Sequence, residues 1–296
     1  MRRLKKVKEL SNFQFALFLT LPVIIFLITI IGYPLGYALW ASFHRIIFFG
    51  GYKTNFIGFE NYVNILHSQN FWHSVGVSLR FGVESVVFTL SIGLGIALVL
   101  AELSRGKKII RSLVILPWAT SRYSAGIIFK YLWGGRKSFP TALSYIFGEG
   151  RIIDMLNQNT VIEMLSIGNA WNLAPLVALF LLANINTIPS RLYDMAEIDQ
   201  LGPFRKFFYV TFPYLSYSLF VFTSIVTVLS LKVFDYIFVQ TGGGPGTVSA
   251  TLTYEIYKES FSNLNLGYGA AMSFYLLFLI LAITFSLFVF WGRKEA

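Results

Sequence analysis

Residues 270–291 read AAMSFYLLFLILAITFSLFVFW. None of them carries a charge, and a helix needs about 20 mostly apolar residues to cross a hydrocarbon core. Arg293 and Lys294 follow at once. Working outward from this stretch, five more have the same character: Phe13 to Trp40, Val75 to Leu100, Ile109 to Trp133, Val161 to Ile185, and Pro213 to Val239. The pattern predicts an all-α membrane protein with six transmembrane helices. Pro22, Pro34 and Pro117 lie inside these stretches. Membrane helices tolerate proline because neighbours re-satisfy the freed backbone groups.

Composition agrees. The 296 residues are 55% hydrophobic and only 13% charged, whereas soluble domains run at about 45–50% and about 25%. Such a chain cannot cover its own surface in water, so a soluble domain and a disordered chain are disfavoured. The net charge of +10 would otherwise suggest nucleic acid. In a membrane protein the same excess sits in cytoplasmic loops and sets orientation. There is no Cys, which excludes disulfides, Cys-ligated zinc and thiol chemistry. The three His (His44, His67, His73) fall in one stretch and argue against a metal site.

Orientation follows from Lys and Arg. With the N-terminus inside and six crossings, the cytoplasmic segments hold Arg2, Arg3, Lys5, Lys6, Lys8, Arg105, Lys107, Lys108, Arg111, Arg191, Arg205, Lys206, Arg293 and Lys294. The external segments hold Arg45, Lys53, Arg136, Lys137, Arg151 and Lys258. This asymmetry predicts cytoplasmic termini. The basic N-terminus and the apolar run after it could suggest a signal peptide, but the run is too long and no A-x-A-like site ends it. We read it as a retained first helix, and residues 1–296 as one transmembrane domain without repeats or appended soluble parts.

The stretch between the fourth and fifth spans, residues 186–213, reads NTIPSRLYDMAEIDQLGPFRKFFYVTFP. Asp194, Glu197 and Asp199 cluster here. Ser190 is placed to cap a helix after Pro189, with the acids in the following turns, where the helix dipole favours them. Gly202 and Pro203 break the chain, and Phe204, Phe207 and Phe208 begin a second helical stretch. By pattern this is helix, turn and short amphipathic helix at the membrane surface.

The wording of this segment resembles the EAA loop of permeases from binding-protein-dependent ABC importers. Asp194, Met195 and Ala196 stand at E-A-A; Asp199, Gln200 and Leu201 stand at D-G-A; Gly202, Phe207, Phe212 and Pro213 complete the motif. The resemblance implies a coupling loop that docks on an ATPase subunit through Asp194, Ala196, Glu197, Asp199, Gly202 and Phe207. Asp194 replaces a Glu that pairs with a basic residue of the ATPase. Gln200 replaces the turn Gly, so Gly202 is expected to make the turn instead.

A second signature, SLKVFDYIFVQTGGGPG at 230–246, is Gly-rich. A phosphate loop needs Lys and Ser or Thr after its last Gly; here Pro245 and Gly246 follow. The TGGGPG string, Ile115-Leu116-Pro117-Trp118, and Asn265-Leu266-Gly267-Tyr268 are similar to carbohydrate-transporting members of the same family, of the maltose-transporter type. That resemblance implies a second permease subunit, two ATP-binding ATPase subunits and an extracytoplasmic sugar-binding protein as partners, and a plasma (inner) membrane location. ATP and Mg would bind the ATPase subunits, with no cofactor and no catalytic role on this chain.

Charged and polar residues in the spans mark the candidate substrate pathway. Lys232 and Asp235 are three apart and expected on one helical face, as an ion pair or a cavity lining. Tyr236 is expected to face the same cavity. On span four, Asn169, Trp171 and Asn172 offer the amide and aromatic groups that bind sugars; helix packing is the other reading. Arg122 could pair with a helix terminus or with Glu84, or meet an acidic sugar. A glycerol-phosphate importer is the close alternative. A membrane-embedded enzyme would need H-E-x-x-H, G-x-S-x-G or a similar constellation, and none occurs. A secondary transporter would leave the acidic loop without a role.

Overall fold

The computed structural model describes residues 11–47, 53–103 and 105–291. The basic clusters at 2–8 and 293–294, and with them both termini, lie outside the described residues. Backbone contacts divide the rest into two compact units.

The first unit comprises residues 11–65 and 259–274. Helix α1 (Asn12–Leu27) opens on a capping box in which Ser11 and Gln14 satisfy each other's backbone N–H groups. A π-turn at Ile28–Gly32 joins it to α2 (Tyr33–Ser42). A hairpin follows, β1 (His44–Ile47) and β2 (Lys53–Phe56), antiparallel with His44 opposite Phe56. Next is α3 (Glu60–Leu66). Asn61 ties the hairpin down, donating to the carbonyls of Ser42 (2.9 Å) and His44 (3.1 Å). The Gly267 backbone comes so close to the His44 carbonyl that a Cβ would lie 2.0 Å from that oxygen. Only glycine fits there, which explains one residue of the Asn265–Tyr268 signature.

The second unit comprises residues 66–258 and 275–291. Its centre is α4 (Gln69–Glu102) against α9 (Val161–Ile185). α4 presents Gly82, Ser85, Thr89, Gly93 and Ala97 as buried residues. Small residues let membrane helices approach closely, and a Cβ on Gly93 would sit 2.9 Å from Val177. Around this pair stand α5 (Lys107–Val114), α6 (Leu116–Ala119), α7 (Arg122–Trp133), α8 (Phe139–Ile146), α10 (Ser190–Ile198), α11 (Pro203–Lys206), α12 (Phe212–Leu231), α13 (Asp235–Gln240) and α14 (Leu252–Tyr257). The last helix, α15 (Leu266–Trp291), begins in the first unit and ends in the second.

Among the described residues five helices are long and apolar enough to cross a membrane: Phe13–Ser42, Gln69–Glu102, Val161–Ile185, Pro203–Leu231 and Leu266–Val289. The sequence stretch expected as the third span, Ile109 to Trp133, is instead divided among α5, α6 and α7. Pro117 is the second residue of α6, and Thr120 and Ser121 turn extended, with the Ser121 hydroxyl accepting from the Ser124 N–H at the start of α7. The expected fifth span is also interrupted. Helix α12 ends at Leu231 and α13 begins only at Asp235. Lys232 and Asp235 therefore do not share one helical face, and no ion pair joins them.

Candidate functional site

The two helix breaks meet at α9. Asn172 donates to the carbonyls of Pro117 (2.7 Å) and Thr120 (3.1 Å), which flank the break between α6 and α7. The Pro117 carbonyl already accepts the Thr120 N–H at 3.2 Å, whereas the extended Thr120 carbonyl has left the helical pattern, and leaving such a group without a partner away from water costs about 1–3 kcal/mol. Asn172 removes that cost at Thr120 and adds a second bond at Pro117. One turn earlier on α9, Asn169 is only 2% exposed and donates to the Ser230 hydroxyl on α12 at 3.0 Å. Beside Ser230, the Leu229 carbonyl at the frayed end of α12 accepts from the Arg122 guanidinium at 3.2 Å. Past the second break, the Val233 carbonyl accepts from the Thr253 hydroxyl at 2.7 Å. Arg122, Asn169 and Asn172 thus converge on the two interruptions.

Of the readings open for Arg122, this is the helix-terminus one. Glu84 is committed elsewhere: Arg80, four residues before it, bonds it at 2.8 Å and also reaches Glu163, while Ser166 donates to it at 3.2 Å. The i,i+4 spacing of Arg80 and Glu84 was a signal for that pairing. Asp235, half-buried at the start of α13, is the carboxylate whose charge acts on Arg122. Lys232 is exposed.

Aromatic rings line the same region. Trp171 meets Phe129 edge-on at 5.4 Å, and Phe129 meets Tyr236 at 6.5 Å. Tyr236 is buried, and its hydroxyl approaches the backbone of Gly168 so closely that a Cβ there would lie 1.8 Å from it. Phe129 and Ser230 had no distinguishing signal in the sequence, because an apolar or hydroxyl residue in a span is ordinary.

The segment 186–213 is built differently. Pro189 precedes α10, and Ser190 is its first residue rather than its cap; no side chain caps the helix and no acid lies in its first turn. The far end closes as a Schellman motif: Leu201 N–H bonds the Ala196 carbonyl and Gln200 N–H bonds the Glu197 carbonyl, both at 2.9 Å. That motif needs a left-handed residue. Gln200 itself supplies it, with φ of +53°, and Gly202 does not make the turn. Gly202 is extended and precedes Pro203, the first residue of α11. Ala196, Ile188 and Val210 form a small core beneath, with Leu192, Tyr193 and Leu201 packed on it. Tyr193 reaches Thr211 at 3.0 Å.

This scaffold turns the other side chains outward. Asp194, Met195, Glu197, Ile198 and Asp199 are exposed, and Phe204 is 81% exposed. Phe207 is half-buried and, with Phe204, borders a groove of about 1000 Å³ toward Leu98 and Glu102 of α4. Glu197 pairs with Lys206 at 2.8 Å. The hydrogen bond from that ammonium, and then its charge, hold the Glu197 carboxyl below its usual value. The pair is therefore kept above the ordinary carboxylate range and lost as pH falls through the lowered value.

The remaining signature, TGGGPG, is a tight turn. Gly242, Gly243 and Gly246 all have positive φ. The Ser249 hydroxyl bonds both Thr241 and the Gly244 carbonyl.

The site combines two interrupted helices packed on α9 with an exposed acidic and aromatic segment at 186–213, in a chain with five described helices long and apolar enough to cross a membrane. The chain belongs to the family of permease subunits of binding-protein-dependent ABC transport systems. It is 32% identical, over 93% of its length and 90% of the relative's, to the sulfoquinovosyl glycerol transport system permease protein SmoG of Agrobacterium fabrum. It is 32% identical, over 89% of both chains, to the trehalose/maltose transport system permease protein MalF of Thermococcus litoralis. A third relative is the sn-glycerol-3-phosphate transport system permease protein UgpA of Agrobacterium fabrum, at 30% over 90% of both. The fold matches a chain of a bacterial ABC transporter that imports the acidic polysaccharide alginate, with TM-score 0.82 at 20% identity over 95% of this chain and 96% of that one. No family model matches.

Proposed function

We propose that this chain forms half of the translocation pathway of an ATP-driven importer for an acidic carbohydrate. A second permease supplies the other half, two ATPase subunits bind ATP and Mg, and an extracytoplasmic binding protein delivers the substrate. The chain itself performs no chemistry. ATPase closure acts through Asp194, Ala196, Glu197, Asp199, Gly202 and Phe207, and alternating access is a two-state equilibrium biased by different ligands on the two sides.

The observation that carries the acidic reading is Arg122. A guanidinium offers five N–H donors in a fixed fork suited to planar or tetrahedral anions. The Leu229 carbonyl takes one donor, and Asp235 balances part of the charge. Asn169, Trp171, Asn172 and Tyr236 supply amide and aromatic neighbours for the sugar ring, and Lys232 and Asp235 complete the pathway set. Two relatives have names with anionic substrates, a sulfonated glycoside and a glycerol phosphate, which supports the same direction. Neutral disaccharides, named for another relative, are the second reading.

Uptake by the assembled transporter in proteoliposomes tests this, with neutral sugars, uronides, sulfonated glycosides and glycerol phosphate as competitors. Anionic sugars should compete best, and Arg122→Gln should reduce that preference by about tenfold or more, as expected for a charge-assisted bond of about 1.5–3 kcal/mol. Competition by neutral sugars alone, unchanged in Arg122→Gln, would replace the acidic reading with the neutral one.

A further inference from the structure

Helix α8 has a polar side that is fully used and an apolar side that is not. On the polar side, Ser138 donates to the Ile153 carbonyl and to Thr141, both at 2.9 Å. Thr141 bonds the Ile153 backbone in both directions, at 2.9 and 3.0 Å. Ser144 bonds the Arg151 carbonyl. This knot fixes the rotation of α8 about its axis. Phe139, Ala142 and Ile146, at helical spacing, then share the opposite face, and these three are exposed, as is Phe147 just past the end of the helix. Phe147 is 78% exposed.

The helix also cannot leave the end of the bundle. Only residues 134–138 separate it from α7, and the Met155 N–H bonds the Trp133 carbonyl at 3.0 Å. Trp133 closes α7 at the end of this unit opposite the segment 186–213. Arg136, Lys137 and Arg151 flank α8 and are all exposed, with Glu149 and Asp154 as the nearby acids, which leaves a net positive charge. An apolar face with aromatics, bordered by cations and held at the end of a span, matches the composition of helices that lie in the interfacial plane of a bilayer.

We propose that α8 is an interfacial anchor that inserts its Phe139–Ile146–Phe147 face into the outer leaflet and sets Arg136, Lys137 and Arg151 against anionic phospholipid headgroups. The side of the membrane rests on the importer reading, since α8 lies opposite the ATPase-docking segment. The anchor holds the outer ends of α7 and α9 at a constant depth while the rest of the pathway rearranges.

The test uses the complete transporter in proteoliposomes, with its other subunits made free of Cys. This chain has none, so Ile146→Cys carries one environment-sensitive fluorophore, and Gln158→Cys, in the same loop, is the control. Nitroxide-labelled lipid should quench position 146 about threefold more than position 158. Phosphatidylglycerol should increase that quenching over phosphatidylcholine alone, and Arg136→Gln/Lys137→Gln/Arg151→Gln should abolish the increase. Equal quenching at both positions overturns the anchor. So does a label at 146 that lipid cannot reach but that responds to the binding protein or the second permease. Indifference of the triple variant to lipid charge overturns the headgroup contact. Substrate uptake is measured on the same samples: a transporting complex with an unquenched label refutes only the anchor, and a quenched label without ATP-driven uptake refutes only the importer reading.

Discussion

The segment 186–213 and the polar row on α9 use similar short polar side chains and treat them in opposite ways. At 186–213, Asp194 and Asp199 are exposed, with their backbone supported from behind by the Schellman turn and the Ala196 core. On α9, Asn169 and Asn172 are buried, each already bonded to a break in a neighbouring helix. One region presents Asp194 and Asp199 outward with Glu197 paired to Lys206; the other holds amides whose internal partners an incoming ligand would have to displace. Docking on the first adds bonds, whereas binding at the second replaces them. The first is therefore tuned by charge, and the second by how readily the helix breaks move.

The largest effect is expected where a buried amide serves two carbonyls. Asn172→Leu should lower the thermal stability of the substrate-free permease by about 1–3 kcal/mol, because the Thr120 carbonyl loses its side-chain donor and Pro117 keeps only the Thr120 N–H. Thermal unfolding in detergent gives this directly. Unchanged stability with lost uptake would erase the contrast, making Asn172 a substrate contact rather than a splint for the broken helix.

Next comes Asp194→Lys, which should uncouple transport without affecting stability. The side chain is exposed and its loss leaves nothing buried, while reversal places repulsion where a charge-assisted contact of about 1.5–3 kcal/mol would form. Substrate-stimulated ATPase activity of the assembled complex is the readout. Wild-type stimulation would remove 186–213 as the coupling element.

The smallest effect sharpens the description of the turn. Gln200 holds a left-handed backbone that costs a side chain about 1 kcal/mol, so Gln200→Gly should stabilise the turn by roughly 0.5–1 kcal/mol. Slower amide exchange at Gln200 and Leu201 would report it, with coupling unchanged. Faster exchange would mean that the Gln200 side chain, rather than the Schellman bonds, holds the turn.

Residue type and spacing alone determined that this chain lives in a membrane and that an acidic helix, turn and aromatic helix occupy 186–213. Insertion into lipid depends on the summed transfer free energy of a local stretch, and the acidic motif is contiguous in sequence, so neither needs a distant residue to be legible. Tertiary structure decided what the spans do with their polar groups. The break at Lys232–Phe234 separates Lys232 from Asp235, which spacing had put on one face. Asn172 reaches Pro117, and Arg122 reaches Leu229, across 55 and 107 residues. A pairing at that separation leaves no periodic mark, because it is chosen by whichever carbonyl a broken helix leaves unbonded. The handedness of the docking turn was hidden for a related reason. Gly202 has the intrinsic freedom to make it, yet two backbone hydrogen bonds and the packing of Leu201 over Ala196 place the left-handed residue at Gln200.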